Sequence, residues 1–283
     1  MTCFRSAILL ALLAAAPVFA QTHDPAPAPA QAPVSPPDDP DLRVDALQPD
    51  FNLVALPTTL RMPVHKLSFR VTHRFTRSLG QGDFGDLASD FFGFDSAAQI
   101  GLELRYGLAS GTQVGIHRTS DRTIQLFGQH NFLSERNGKP VGLDAIATFE
   151  GGNNLRVRHE STLGAIVSRN AGRWAALYAE PLVVVHSNPG TGAESDDNTL
   201  MLGLGGRVRI RPATYVVAEI TPRLAGFRPG VAQMSFGLEA RAGGHLFQFN
   251  VSNGFGTTLG QVATGGFNND NWYIGFNIAR KFF

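Results

Sequence analysis

From Val64 to its last residue the chain alternates. Leu67, Phe69, Val71, His73 and Phe75 share one parity, and Lys66, Ser68, Arg70, Thr72 and Arg74 the other. The same period sets Ile100, Leu102 and Leu104 against Gly101, Glu103 and Arg105, and Leu202, Leu204, Val208 and Ile210 against Gly203, Gly205, Arg207 and Arg209. A period of two belongs to an extended strand with one apolar face. About twelve such segments follow one another, at 66–75, 98–106, 112–119, 123–133, 140–150, 158–169, 173–187, 200–210, 214–224, 232–242, 245–253 and 272–283. The seventh is apolar on both parities, and its Pro181 predicts a bulge. The last sets Trp272, Ile274, Phe276, Ile278 and Phe282 against Tyr273, Gly275, Asn277, Ala279 and Lys281, with Arg280 as an interruption.

No stretch holds eighteen uninterrupted apolar residues, so no transmembrane helix is expected. Mean hydropathy is −0.03. That value is what strands give when lipid-facing and lumen-facing residues cancel. The connections give a second signal. Those at 109–111, 170–172, 211–213 and 243–244 are tight, whereas 77–96, 151–157, 188–198 and 254–270 are longer, with 120–122 and 225–230 as shorter members of the long set. A soluble sandwich has no reason to gather its tight turns at one end; an outer-membrane barrel does so at its periplasmic side. The expected fold is therefore all-β, a closed antiparallel transmembrane barrel of about twelve strands, with both termini periplasmic. A terminal amphipathic strand ending in Phe283 also resembles the closing strand of Gram-negative outer-membrane barrels, and the signal read by their assembly machinery.

The start of the chain fits that destination. Arg5, an apolar run from Ala7 to Ala16, and Val18-Phe19-Ala20 make residues 1–20 a secretory signal peptide. Cys3, the single cysteine, lies within it, which leaves the rest without disulfide or thiolate chemistry. Residues 21–49 are rich in Pro and Ala and read as an extended periplasmic linker, with a periplasmic or cell-wall partner as the functional alternative. Residues 50–63 are too apolar for a free linker and are expected to pack on or inside the periplasmic mouth of a barrel domain spanning 50–283. A net charge of +1 gives no reason to expect nucleic acid.

Four stretches carry a resemblance: 50–61 (DFNLVALPTTLR), 66–76 (KLSFRVTHRFT), 102–107 (LELRYG) and 113–128, which contains Arg118-Thr-Ser-Asp-Arg-Thr. They resemble a bacterial family of membrane-bound β-barrel domains of unknown function. The resemblance implies the fold and no mechanism.

Chemistry is sparse. His159, Glu160 and Ser161 are neighbours on one strand, so Glu160 points away from the other two and no relay forms. The eight histidines show no metal-ligand spacing, and no cofactor is expected. The residues singled out are a lumen-facing charged cluster: Arg70, Glu103, Arg207, Arg209, Glu219, Glu239 and Arg241. Within it Glu219 and Glu239 are expected to oppose each other across adjacent strands, compensated by the arginines. Four phenylalanines in loop 77–96 predict either a helix at the outer interface or a lid folded into the lumen. The functional expectation is a narrow passive pore for small solutes. A closed structural or binding barrel is the alternative, and an outer-membrane hydrolase a more distant one. The pattern does not specify an oligomeric state.

Overall fold

A computed structural model of the protein describes residue 43 and residues 45–190 and 197–283. The signal peptide and most of the Pro-rich linker lie outside these residues. Thirteen strands form one antiparallel sheet: β1 (Leu67–Ser78), β2 (Ala98–Ala109), β3 (Thr112–Thr119), β4 (Ile124–Leu133), β5 (Gly142–Gly151), β6 (Val157–Ala171), β7 (Ala175–Val185), β8 (Thr199–Arg211), β9 (Thr214–Thr221), β10 (Arg223–Gly226), β11 (Gln233–Ala242), β12 (His245–Ser252) and β13 (Tyr273–Lys281). Sequence neighbours pair, apart from β9, which passes over β10 to pair with β11. β1 pairs with β13, with Val71 opposite Ile278, and this closes the sheet into a barrel. Closure leaves no edge unsatisfied in lipid.

The barrel wall has twelve strands, because β10 is the continuation of β9. Leu204 lies opposite Ile220, and Met201 opposite Arg223, in one unbroken register on β8. The break falls at Pro222, which has no N–H to give the ladder, though Leu202 still donates to its carbonyl at 3.0 Å. Pro181 does not produce the expected bulge. Pairing with β6 skips from Leu182–Gly164 to Ala179–Val167 without a change of register, and pairing with β8 runs straight through Pro181–Leu202. The proline ring interrupts only the β6 side.

Tight turns collect at one end, together with the start of β1 and the end of β13. Gly172 and Gly243 take φ of 61° and 56° there, a region open to glycine. The β4–β5 connection at this turn end is longer and holds a 3₁₀ turn, Glu135–Asn137. The other end carries the long loops. Between the two, the outer surface exposes Leu104, Leu126, Phe149, Leu163, Leu238, Phe249 and other large apolar side chains in a continuous band. In water such a surface would drive association; against lipid it is the expected face.

The hydrophobic core lies inside the barrel. Ile146, Ile166, Tyr178, Leu182, Val184, Met201 and Val217 face inward and are buried in one cluster. Leu53, Val54 and Leu56 of the segment before β1, and Leu259, Val262 and Ala263 of the loop before β13, belong to the same cluster.

Candidate functional site

The lumen is filled from both ends. From the turn end, residues 45–63 enter as a re-entrant hairpin, the plug. An Asn52–Pro57 bridge and a Thr58 N–H to Phe51 carbonyl bond of 2.8 Å hold its arms, and Leu53 N–H to Leu56 carbonyl closes its tip. The expected linker therefore ends earlier than residue 49: Leu47 and Gln48 are buried, and Asp45 pairs with Arg136 at 3.4 Å. The plug is apolar enough to bury but leaves its backbone polar groups bare. The wall must satisfy them.

It does so with side chains from around the barrel. The tip exposes three consecutive N–H groups, and Glu219 of β9 accepts all three: Val54 at 2.9 Å, Ala55 at 2.9 Å and Leu56 at 3.1 Å. This is a backbone nest with a carboxylate seated in it. Arg70 and Asn277 donate to the Val54 carbonyl, Gln248 to that of Leu53, Arg207 to that of Asn52 and Gln129 to that of Thr58. At the base Lys281, with no exposed side-chain surface, reaches Asp50 at 3.3 Å. Burial works against the Asp50 carboxylate, but Lys281, with Arg70 and Arg207, holds its pKa below the usual value.

From the loop end the connection 253–272 sends in a one-and-a-half-turn helix, Leu259–Thr264. Its Leu259, Val262 and Ala263 recur on one face and join the core. Glu150 of β5 receives its start: Thr258 donates to it at 2.8 Å and the Gly260 N–H at 3.0 Å, while Gln125 donates at 2.6 Å. Two lumenal carboxylates, Glu219 and Glu150, thus each hold one inward segment. Where plug and helix meet, Ala55, Pro57 and Leu259 line a cavity of about 20 Å³, the size of one water.

The charged cluster divides into separate units. Arg70 and Glu103 are register partners at 3.9 Å, and Arg105, which the sequence reading did not single out, binds Glu103 at 2.9 Å. Arg207 and Glu239 form a fully buried pair at 2.5 Å. Glu219 lies opposite Ser235 and Glu239 opposite Tyr215, so the two carboxylates are offset by four residues and do not face each other. The register corrects that expectation; Glu239 has its arginine in Arg207, whereas among the described residues Glu219 forms no ion pair with an arginine, and its carboxylate is held by the plug backbone. Arg209 turns to the Pro212 carbonyl at the turn end, and Arg241, half-buried on the last residues of β11, stays at that rim. On the closing strand, Phe276 stacks on His73 outside the barrel, Phe282 is exposed, and Trp272 meets Phe236, while Ile278 lies opposite Val71 and Ile274 opposite Val251.

The Phe-rich loop does not enter the lumen. Its helix Phe84–Ser89 buries nothing, and Phe84 is 74% exposed. Phe94 packs edge-on against Phe75 at the barrel's outer rim. The lid-like element is the 253–272 loop: its helix carries no charged side chain, whereas 84–89, with Phe84, Leu87 and Ala88 at the same apolar spacing, holds Asp86 and is flanked by Asp83 and Asp90. His159 stacks on Phe149 outside the barrel, and Glu160 faces Glu150 across β5–β6, so the two belong to opposite faces.

Not every buried polar atom is matched. Nε and Nη2 of Arg74, Nε of Arg70, Oγ1 of Thr72, Nε2 of His117 and both carboxylate oxygens of Glu180 have no hydrogen-bond partner among the described residues. These residues are at most 3% exposed.

The closed twelve-strand wall, the outer apolar band and the buried polar residues of the lumen define an outer-membrane-type β-barrel. The chain belongs to the family described as membrane bound beta barrel domain (DUF5777), matched over residues 50–282. In structure it is similar to the NanC porin, at 8% identity and a TM-score of 0.52 over 76% of this chain and 98% of that one. It is also similar to an outer membrane channel from Pseudomonas putida F1, at 13% identity and a TM-score of 0.51 over 78% and 97%. At such identities the likeness is one of fold. No curated protein matches the chain in sequence.

Proposed function

We propose that this protein is a narrow outer-membrane channel for small polar solutes, with both termini periplasmic, and that its plugged form is the closed state. The polarity of the lumen wall carries this reading. Thr72, Arg74, His117 and Glu180 are buried on the inner face and, among the described residues, make no hydrogen bond to the plug, so the plug's anchoring does not account for them. They suit a path that water and solute occupy when the plug moves. The orientation follows from short turns at the side of insertion and long loops outside. The test is conductance in a planar bilayer of the intact protein and of one freed of both inward segments, by deletion of residues 45–63 with Glu150→Ala. The intact protein should conduct rarely and the variant steadily, provided the variant still shows a heat-dependent shift on a detergent gel. No conductance from a correctly folded variant would sink the channel.

A second reading rests on the apolar half of the lumen, where β5–β9 pack on Leu53, Leu56 and Val262 as a true core. On that reading the barrel is permanently closed and displays the Pro-rich arm to a periplasmic partner. The same recording separates the two.

A further inference from the structure

We propose that the loop-end rim between β3 and β6 binds the phosphate groups of a lipid A-type glycolipid in the outer leaflet; this rests on the orientation proposed above. Register places one row of the outer surface as Arg118, Ile124, Gly151 and His159, on β3 to β6 in turn. The row two residues nearer the turn end is Ile116, Leu126, Phe149 and Ser161, of which the first three are exposed apolar side chains in the lipid-facing band. On β3 to β6 Arg118 thus stands one step, about 7 Å, beyond the apolar row, while on β2 the exposed Leu102 lies directly opposite it, so its stem runs beside acyl chains and its guanidinium extends toward the headgroups.

Two connections bring further arginines to it. The Asn154 N–H donates to the Arg122 carbonyl at 2.7 Å, and Arg118 donates to Asn154 Oδ1 at 3.4 Å. These bonds lock the β3–β4 turn, bearing Arg122, to the β5–β6 turn, bearing Arg156. The second turn is strained. Asn153, Asn154 and Leu155 hold φ of 48°, 59° and 62°, and such strain persists only where the surroundings fix it. Arg118, Arg122 and Arg156 are exposed, and none forms an ion pair with a described residue. The one carboxylate in these connections, Asp121, is taken by inner partners: the Thr123 N–H at 3.1 Å, Gln261 at 3.0 Å and Thr119. Glu150 and Glu160 belong to the inner vestibule. Against the single carboxylate of Asp121, Arg118, Arg122 and Arg156 leave the rim net cationic. Planar guanidinium forks bind phosphate through paired N–H groups, and lipid A offers two phosphates above several acyl chains.

The test uses purified full-length protein in phosphatidylcholine vesicles doped with lipid A or with phosphatidylglycerol, with protein-bound lipid counted by mass spectrometry. The wild type should retain lipid A at least ~10-fold more than the Arg118→Gln, Arg122→Gln, Arg156→Gln triple variant. A triple variant at the turn end, Arg169→Gln, Arg173→Gln, Arg211→Gln, should match the wild type. Single Arg122→Gln and Arg156→Gln variants should fall between, which guards against a misfolded triple. Equal retention by the loop-end triple, or equal retention of phosphatidylglycerol by the wild type, overturns the proposal. Labelling an Ala88→Cys variant with an impermeant maleimide on intact cells reports orientation separately. Labelling without loss of lipid A in the triple rejects the phosphate site alone; absence of labelling rejects the orientation and the site with it.

Discussion

A carboxylate that accepts three backbone N–H groups out of reach of water has no neutral substitute. Glu219→Ala should leave Val54, Ala55 and Leu56 bare at the tip of the plug. The loss, about 3 kcal/mol, is roughly a hundredfold in the opening equilibrium of the tip. Hydrogen exchange at residues 53–56 should accelerate accordingly while exchange in β1 and β13 does not change; uniform acceleration would mean that the barrel, and not the plug, had loosened. Asp50 gives a pH dependence of defined sign. Its pKa is lowered in the folded protein, so the stability it lends the plug is present above the ordinary carboxylate value and lost as pH falls through the lowered one, that is, below about 4. Conductance should rise on acidification in that window, and Lys281→Met should raise it already at neutral pH. At this scale parity was legible: Arg70, Arg207 and Glu239 alternate with apolar neighbours and face inward. Some partners were legible too, Arg70 with Glu103 and an arginine with Glu239; that of Glu219 was not, because it binds a backbone turn far away in sequence, and no side-chain pattern announces a backbone ligand.

The elements show which kinds of information local sequence holds. β13 can be tested by adjacent substitutions. Phe276→Asp puts a charge on the lipid face near the middle of the strand, at roughly 2 kcal/mol or more, and should block assembly. Asn277→Asp should assemble, yet it replaces the donor to the Val54 carbonyl with an acceptor and should loosen the plug. Heat-modifiable gel mobility reads the first effect, and hydrogen exchange at the tip the second; if Phe276→Asp folds as well as Asn277→Asp, the lipid and lumen faces are assigned in reverse. β7 carried a signal that period alone could not resolve. Its inward residues Ala176, Tyr178, Leu182 and Val184, on either side of the buried Glu180, join the plug's leucines in one apolar cluster. A largely apolar inner parity in a barrel strand thus goes here with a filled lumen. Loop 77–96 left two readings open, and the structure has the outer one: a short exposed helix whose Asp83, Asp86 and Asp90 would be costly to bury, whereas the uncharged helix of Leu259, Val262 and Ala263 enters the lumen.

For the whole molecule, the twelve-strand wall could be read from alternation and turn lengths, whereas closure of the lumen could not. Strand number sets an interior of intermediate width, and what fills it depends on contacts between residues 53–56 and 259–263 that only the closed barrel brings together. This arrangement predicts a non-additive response. The plug occupies the lumen from the turn end and the 259–264 helix from the loop end, each held by its own carboxylate, so they obstruct one path in series. Glu219→Ala should loosen the plug while the helix still obstructs, and Glu150→Ala should free the helix while the plug still obstructs. Each alone should give only brief, small openings. Together they should give a conductance well above the sum of the two, because current through obstructions in series is limited by the one that remains. The measurement is single-channel recording of the four proteins under one salt condition. Additive conductances would mean two parallel paths past independent obstacles, and would replace the series arrangement with one in which plug and helix each cover a different part of the cross-section.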